Sequence, residues 1–178
     1  MSSPTEERHP DTEAIDSMST LELVQTINIE DARVPTAVAQ VLPELAVAVD
    51  LAVERIRAGG TVHYFGAGTS GRLAVIDVAE LMPTFNAPDG LFVAHQAGGA
   101  EALLRAVENV EDDVDLGAAD ASVVRALDVV IGITASGRTP YVAGALSVRA
   151  VTGAGAGEQA AQAARSAESV YVGRIEGA

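Results

Sequence analysis

The 178-residue sequence contains no cysteine and no lysine, and only 3% of its residues are aromatic. The absence of cysteine excludes disulfides, thiolate metal sites and a cysteine nucleophile. The absence of lysine excludes a phosphate loop of the Walker type, which depends on that side chain. With so few aromatic side chains, the core must be built from valine, leucine, isoleucine and alanine. The apolar fraction of 48% is sufficient for such a core.

Basic residues are also scarce: 11 arginines stand against 25 acidic residues, which gives a formal net charge of −14. Nucleic acids and anionic membranes both require a basic face, so this charge argues against either as a partner. No uninterrupted apolar stretch reaches the ~18 residues expected of a bilayer-spanning segment. The acidic and polar beginning of the sequence does not resemble a secretory signal. We therefore expect a cytoplasmic protein.

Charge, proline content and apolar periodicity divide the chain into four segments. Residues 1–17 are charged and aperiodic, which predicts a flexible tail. Residues 18–58 show helical periodicity and predict a helical arm, which should begin with a capping box at Ser19 and Glu22 and be kinked or split at Pro43. Residues 59–147 alternate apolar strands with helices and form the main domain. Residues 148–178 are atypical and glycine-rich, which predicts a poorly ordered tail, although 169–175 could form a last strand.

The main domain contains three short apolar runs, at 61–66, 91–96 and 128–134, each followed by a helical pattern. This alternation predicts a three-layer α/β/α architecture with a parallel sheet. The helix after the first strand is expected to end before Pro83, because proline commonly follows a helix end. The helix after the second strand is expected to extend through Val110.

Two strand-to-helix junctions share one design, in which small residues and hydroxyls separate a strand from a helix. Glycines permit close backbone approach, while free amides and the helix dipole attract an anion. Both junctions follow the carboxyl ends of parallel strands, where open α/β folds bind ligands. Plain turn chemistry is the alternative for either junction alone. The candidate anion-binding residues, expected to converge on one pocket, are Gly66, Gly68, Thr69 and Ser70 in the first loop and Ser136, Gly137, Arg138 and Thr139 in the second.

The first loop formally matches the glycine pattern of dinucleotide-binding folds, but an NAD site is disfavoured. Such a site needs an acidic residue about 20 residues further on, at the end of the second strand. Here that strand ends in His95 and Gln96. His63 and His95 are interpreted as packed or partly exposed side chains, since no ligand spacing suggests a metal site. The sequence therefore predicts neither a cofactor nor a metal.

Two glutamates, Glu80 and Glu111, are candidates for acid–base chemistry, which needs two carboxylates near the anion site. Glu80 lies near the end of an apolar helix, and Glu111 begins an acidic run. On pattern alone, a solvated helix residue and an acidic loop are the favoured interpretations of the two positions, and neither is expected to be catalytic.

Motifs between residues 17 and 147 occur in the order and spacing of a known family. The chain resembles sugar isomerase (SIS) domains, which bind phosphosugars, and more closely the N-acetylmuramic acid 6-phosphate etherases. The related glucokinase regulatory proteins share the architecture without the etherase chemistry. The motifs that carry the resemblance are Ser19–Glu22, Asn28–Asp31, Val34-Pro35, Gly66–Leu73, Glu80 with Pro83–Phe85, Ala97–Gly99, Ala106–Glu108, Glu111-Asp112 and Ala135–Val142.

The resemblance implies a lyase that converts N-acetylmuramate 6-phosphate to N-acetylglucosamine 6-phosphate and D-lactate, by elimination followed by water addition. Glu80 matches the family's acid and Glu111 its second acid/base. The resemblance further implies a homodimer that needs no cofactor. It stops at about residue 147, where family members continue, so a non-catalytic phosphosugar-binding or regulatory module, or an inactive fragment, stays an alternative.

The spacing along the first helix raises a further question about Glu80. Ten residues separate it from Ser70, which corresponds to roughly 15 Å of helix, further than a hexose phosphate easily spans. We therefore expect either that this helix bends early or that Glu80 serves the pocket of a neighbouring subunit.

Overall fold

The computed structural model describes His9, residues 12–150 and Val170–Gly173. The described residues divide between Asp50 and Leu51 into two compact units. Most of the two terminal tails for which the sequence predicts little order lies outside the described residues, as does the glycine-rich stretch 151–157.

The N-terminal unit is helical. The Ser19 side chain accepts the Glu22 amide hydrogen, and the Glu22 carboxylate accepts that of Ser19 at 2.8 Å, so the predicted capping box is confirmed. The periodic run is interrupted just before Pro43, as expected. None of the residues in the three α-helices of the arm, all of them described, is buried. Its elements are a 3-10 turn at Ile15–Ser17, α1 (Thr20–Asp31), α2 (Val34–Ala39) and α3 (Leu42–Arg57), of which α3 continues into the second unit.

The second unit is organised around one four-stranded sheet with the strand order β2-β1-β3-β4. Its strands are β1 (Val62–Gly66), β2 (Phe92–Gln96), β3 (Val129–Ile133) and β4 (Val170–Gly173). β1 pairs in parallel with both β2 and β3, so the three predicted parallel strands are confirmed. β4 falls where the sequence allowed a last strand, but it runs antiparallel to β3, so the sheet is not parallel throughout.

Helices cover both faces of this sheet. Successive side chains of a strand point to opposite faces. Tyr64 of β1 faces Asp77, which belongs to the helix that follows β1. Burial together with that carboxylate raises the pKa of Tyr64 to about 12. Its neighbour Phe65 instead packs against Tyr141, with ring centroids 6.4 Å apart. The predicted three-layer α/β/α architecture is therefore confirmed, with α4 (Gly68–Phe85), α5 (Glu101–Leu104), α6 (Val114–Asp120), a 3-10 turn at Ala121–Val123 and α7 (Pro140–Ala150) around the sheet.

Two of the predicted helix ends are wrong. α4 continues through Pro83 to Phe85 and ends where Asn86 adopts a left-handed conformation, with φ of 53°. α5 ends at Leu104, because Arg105 is extended, with φ of −149°. The segment that follows still packs Val110 against the hydrophobic core, so tertiary contact rather than helical periodicity places this apolar side chain.

The core lies between the sheet and the α6–α7 face. Phe65 and Tyr141 are its largest side chains, and neither is exposed at all. Small residues surround them, which agrees with the scarcity of aromatic side chains in the sequence. The buried residues of this cluster are Phe65, Ala97, Ala121, Val124, Val130, Tyr141, Val142 and Ala145.

A buried polar row lies on the same face of the sheet as Phe65. His63 Nδ1 is 2.9 Å from His95 Nε2, and His63 Nε2 is 3.5 Å from an Asp128 carboxylate oxygen. Asp128 also accepts hydrogen bonds from the Arg125 side chain and the Thr61 amide. Although burial raises the pKa of Asp128, these bonds outweigh it and the net shift is downward. We therefore assign the His63 proton to Nε2, which leaves Nδ1 to accept the Nε2–H of His95.

Both imidazoles are held neutral by their surroundings. Burial lowers the pKa of His63 more than Asp128 raises it. Burial, followed by repulsion from His63, lowers the pKa of His95 to about 4, against which the Asp120 charge acts only weakly. His95 is also stacked on Phe65 at a centroid distance of 4.2 Å. Because the pKa values of both imidazoles are lowered, the folded row resists protonation and is sensitive to acid.

The folded protein is expected to lose stability as the pH falls from about 6.5 to about 4, because the unfolded chain binds a proton at His95 that the folded chain excludes. His95→Phe preserves the stacking on Phe65 and removes this proton. The native-minus-variant difference in unfolding free energy should shrink by on the order of 1–2 kcal/mol across this range. Urea unfolding at pH 7.5, 6, 5 and 4 measures it. Parallel pH curves for the two proteins would contradict the assignment.

Candidate functional site

The two candidate anion loops leave the sheet side by side. β1 and β3 are neighbouring parallel strands, and Gly66 lies opposite Ile133 in the register. The first loop therefore starts one strand spacing, about 4.8 Å, from the second. Gln96, the last residue of β2, is also opposite Gly66. We call this end of the sheet the carboxyl edge.

The first loop presents the start of a long helix. α4 begins at Gly68, and its N-cap residue, Ala67, provides no side-chain cap. The first amides of an 18-residue helix thus face the carboxyl edge without a capping oxygen. Thr69 is exposed and Ser70 half-buried in this first turn. This arrangement suits an anion, because backbone amides, hydroxyl groups and the helix dipole act on the same point.

Close packing beneath the first loop explains the glycine at position 71. A Cβ atom at Gly71 would overlap the carbonyl oxygen of Gly66 and the Oε1 atom of Gln96. Gln96 is 7% exposed, and its Nε2 donates to the Ala97 carbonyl at 3.2 Å. Among the described residues its Oε1 has no hydrogen-bond partner. From the sequence, Gln96 is expected only as the end of a strand; the available signal for its buried position is a polar residue that closes an apolar strand.

Internal hydrogen bonds shape the second loop. The Ser136 hydroxyl accepts the Arg138 amide hydrogen at 3.2 Å. Thr139 shares a 2.7 Å hydrogen bond with the buried hydroxyl of Thr134, the residue that follows β3. Gly137, with φ of 67°, makes the turn between them. Arg138 is exposed, so the loop adds a positive charge to hydroxyl groups at the start of α7.

Glu111 lies beside this second loop. Its backbone carbonyl accepts the amide hydrogen of Tyr141, in the first turn of α7, at 3.0 Å. The Asp113 carboxylate then caps α6 by accepting the Leu116 amide hydrogen at 2.8 Å. The Glu111 side chain itself is exposed. The Glu111 backbone thus lies beside the second loop, although 26 residues separate it in sequence from Gly137.

Glu80 is not brought to the first loop of its own chain. It is exposed on α4, which runs without a break from Gly68 to Phe85. A straight helix puts it about 15 Å from Ser70. Of the two expectations, an early bend of this helix or service to a neighbouring subunit, the structure shows only that the helix has no interruption between Ser70 and Glu80. The structure thus gathers the eight loop residues and Glu111 at one edge and leaves Glu80 apart. Among the described residues, no three His, Asp or Glu side chains form a group that could hold a metal ion.

This arrangement of loops on a parallel sheet defines a known class of domain. A family model described as the glucokinase regulatory protein N-terminal SIS domain matches residues 44–150. The chain belongs to the SIS-domain family.

Three relatives of the chain have the same enzyme name. Over 80% of its length the chain is 59% identical to the N-acetylmuramic acid 6-phosphate etherase of Thermobifida fusca, covering 47% of that protein. It is 56% identical to the protein of the same name from Pectobacterium atrosepticum and 54% identical to that of Serratia proteamaculans, covering 48% of each. The similarity to this etherase family that the motifs indicate is confirmed. The chain spans about half the length of these curated relatives.

Of the described helices, none is by itself long and apolar enough to cross a membrane. One pair, Thr20–Ala39 with Leu42–Arg57, meets the criteria of length and composition when taken together, but the two parts are bent by 65°.

Gly71→Ala is expected to lower the free energy of unfolding by about 1–3 kcal/mol, because the new methyl group overlaps Gln96 and the Gly66 carbonyl. Gly68→Ala is the matched control: its Cβ atom meets nothing within 4 Å, so only the cost of its φ of +55° remains. Chemical denaturation of both variants measures the difference. An equal or smaller loss for Gly71→Ala would show that the packing beneath the loop is not tight.

Proposed function

We propose that this chain provides the phosphosugar-binding half of a lyase that cleaves the D-lactyl ether of N-acetylmuramate 6-phosphate. The products are N-acetylglucosamine 6-phosphate and D-lactate. One observation carries the proposal: two glycine- and hydroxyl-rich loops leave neighbouring parallel strands at one edge, with Glu111 attached to the second. The name shared by relatives at 54–59% identity supports the choice of substrate.

In this proposal the sugar phosphate binds at the two loops. The uncapped amides of α4 and the hydroxyl groups of Thr69 and Ser70 donate to phosphate oxygens from one side. Ser136, Thr139 and the Arg138 guanidinium approach from the other. Arginine is well suited to this role in a chain without lysine, since its guanidinium keeps its charge and pairs two donors with an oxyanion.

The chemistry requires one carboxylate to act as base and another as acid. In the open-chain sugar, the carbonyl at C1 makes the proton on C2 acidic. The base removes that proton, the C2–C3 double bond forms, and the C3–O bond to lactate breaks as the acid protonates the departing oxygen. Water then adds its hydroxyl group at C3 and a proton at C2. Glu80 and Glu111 are the proposed pair, and each such proton transfer contributes roughly 10²–10⁴-fold to rate.

Glu80 can join this site if it comes from a second copy of the chain. Its distance along α4 from Ser70, about 15 Å, is too great for one hexose phosphate to bridge. We therefore propose a homodimer in which Glu80 of one subunit serves the pocket of the other. The arm supports an association of this kind, because α1 buries none of its residues and leaves Leu21 and Ile29 more than 60% exposed.

A second candidate function is binding of a phosphorylated amino sugar without turnover, as a regulatory module. The observation that favours it is the position of Glu80, which α4 places about 15 Å along the helix from Ser70 and away from the two loops. Phosphosugar binding needs only the two loops at the carboxyl ends of β1 and β3, whereas catalysis also needs both glutamates at one pocket.

Purified protein is expected to release D-lactate from N-acetylmuramate 6-phosphate, measured with a coupled D-lactate dehydrogenase assay. Ser70→Ala should weaken binding of N-acetylglucosamine 6-phosphate by about 5–30-fold in calorimetry, since one hydrogen bond to a charged group is lost. N-acetylglucosamine without phosphate is the matched control ligand. Binding with no lactate would favour the regulatory module, and no binding of the phosphosugar would contradict both functions.

Glu80→Gln and Glu111→Gln are each expected to lower lactate release by at least about 100-fold, because each removes one proton transfer. When the two inactive variants are mixed under subunit exchange, activity should return toward a quarter of the native value, since half of the dimers are mixed and each holds one intact site. Exchange is verified by native mass spectrometry with isotope-labelled subunits. Activity that stays at the single-variant level despite proven exchange would place both carboxylates in one chain.

A further inference from the structure

One residue, Tyr141, forms hydrogen bonds on both sides of α6, to the segment before the helix and to its last residue. Its backbone amide donates to the carbonyl of Glu111, three residues before that helix, at 3.0 Å. Its hydroxyl group donates to the carboxylate of Asp120, the last residue of the helix, at 2.7 Å. Tyr141 itself belongs to the first turn of α7, directly after the second loop. A single side chain and its own amide therefore fix a seven-residue helix relative to the candidate anion site.

The two helices are also in direct backbone contact. A Cβ atom at Gly117, in the middle of α6, would overlap the carbonyl oxygen of Tyr141. A Cβ atom at Gly144 of α7 would likewise overlap the carbonyl oxygen of Val114 at the start of α6. Glycine at both positions lets the backbones approach closely, so a small shift of α6 changes its contacts with α7 immediately.

The side-chain bond between Tyr141 and Asp120 is well protected from water at the tyrosine end. Tyr141 is not exposed at all, and its ring packs near Phe65, the residue before the first loop. Burial and the Asp120 bond both raise the pKa of Tyr141, so the hydroxyl group stays protonated and donates at all ordinary pH values. Removing the hydroxyl group leaves the Asp120 carboxylate without this donor.

We propose that Tyr141, through Asp120, is a positioning residue that holds Glu111 against the second loop. This proposal rests on the proposed function, because Glu111 is one of the two carboxylates in the proposed reaction. Tyr141 touches no substrate in this scheme. Its side-chain bond fixes the far end of α6, so that the near end, which begins three residues after Glu111, cannot swing away from α7.

Tyr141→Phe tests this in the full chain, because it removes only the hydroxyl group and keeps the amide that bonds to Glu111. Hydrogen exchange of the residue 141 amide, followed by NMR, reports that bond without any need for catalysis. The exchange rate is expected to rise at least tenfold relative to the amide of Val130 in β3. A purely structural role would raise both rates together. Asp120→Ala, which leaves Tyr141 intact, should give the same selective increase, and Asp120→Asn, which keeps an acceptor oxygen, should restore the native ratio.

Tyr64→Phe is the matched control, since Tyr64 is a half-buried tyrosine that interacts with a carboxylate, Asp77, on the opposite face of the sheet. It should leave the ratio of the two exchange rates unchanged. Equal acceleration at residues 141 and 130 in Tyr141→Phe, or the same selective effect in Tyr64→Phe, would overturn the proposal.

Lactate release gives the second measurement. Tyr141→Phe should lower kcat at least fivefold while changing the dissociation constant for N-acetylglucosamine 6-phosphate less than twofold, because Glu111 moves and the loops do not. An unchanged kcat in an active protein would overturn the proposal. If the native chain releases no lactate, a selective increase in amide exchange in Tyr141→Phe still supports the positioning of Glu111, whereas the proposed reaction is contradicted. The failure of one proposal can therefore be distinguished from the failure of the other.

Discussion

Parallel pairing of β1 with β2 on one side and β3 on the other is the constraint on which the rest of this structure depends. Because Gly66 is opposite both Gln96 and Ile133, all three strands end at one level. Parallel strands need crossover connections, which here carry α4 on one face of the sheet and α6 on the other. α4 and α7 start where β1 and β3 have just ended. The clustering of helix starts and hydroxyl-rich loops follows from this pairing, before any side chain has been considered.

The face of the sheet that bears Phe65 combines apolar packing with polar contacts. His63, His95 and Asp128 form a buried row on this face, and Tyr141 with Asp120 forms a second polar contact nearer the carboxyl edge. In a core with few aromatic rings, these groups occupy volume that aromatic side chains otherwise fill. Their bonds have direction, whereas contacts between valine and alanine have little, so they restrict how the sheet and the α6–α7 pair can be arranged.

Glu111 and Glu80 show how differently the same residue type is treated by the fold. Glu111 follows an irregular segment, and a backbone hydrogen bond from α7 sets its place. Glu80 lies on a continuous helix that begins at the first loop. Each residue of that helix adds about 1.5 Å to the distance between Glu80 and the loop. No rearrangement of side chains alone unites the two glutamates near Ser70 in one subunit. The proposed catalytic pair therefore requires a dimer, whereas phosphosugar binding by the two loops does not.

The sequence by itself determined the elements governed by local rules: the capping box at Ser19, three parallel strands with short apolar runs, and two loops at strand ends. These depend on spacing and residue type, which a sequence displays directly. Only the tertiary structure decided that α4 continues past Pro83, that Val110 packs into the core from a non-helical segment, and that the tail strand β4 runs antiparallel. The close contacts of Gln96 and Tyr141 belong to the same group. Each joins residues far apart in the chain, and contacts of that kind leave no periodicity in the sequence.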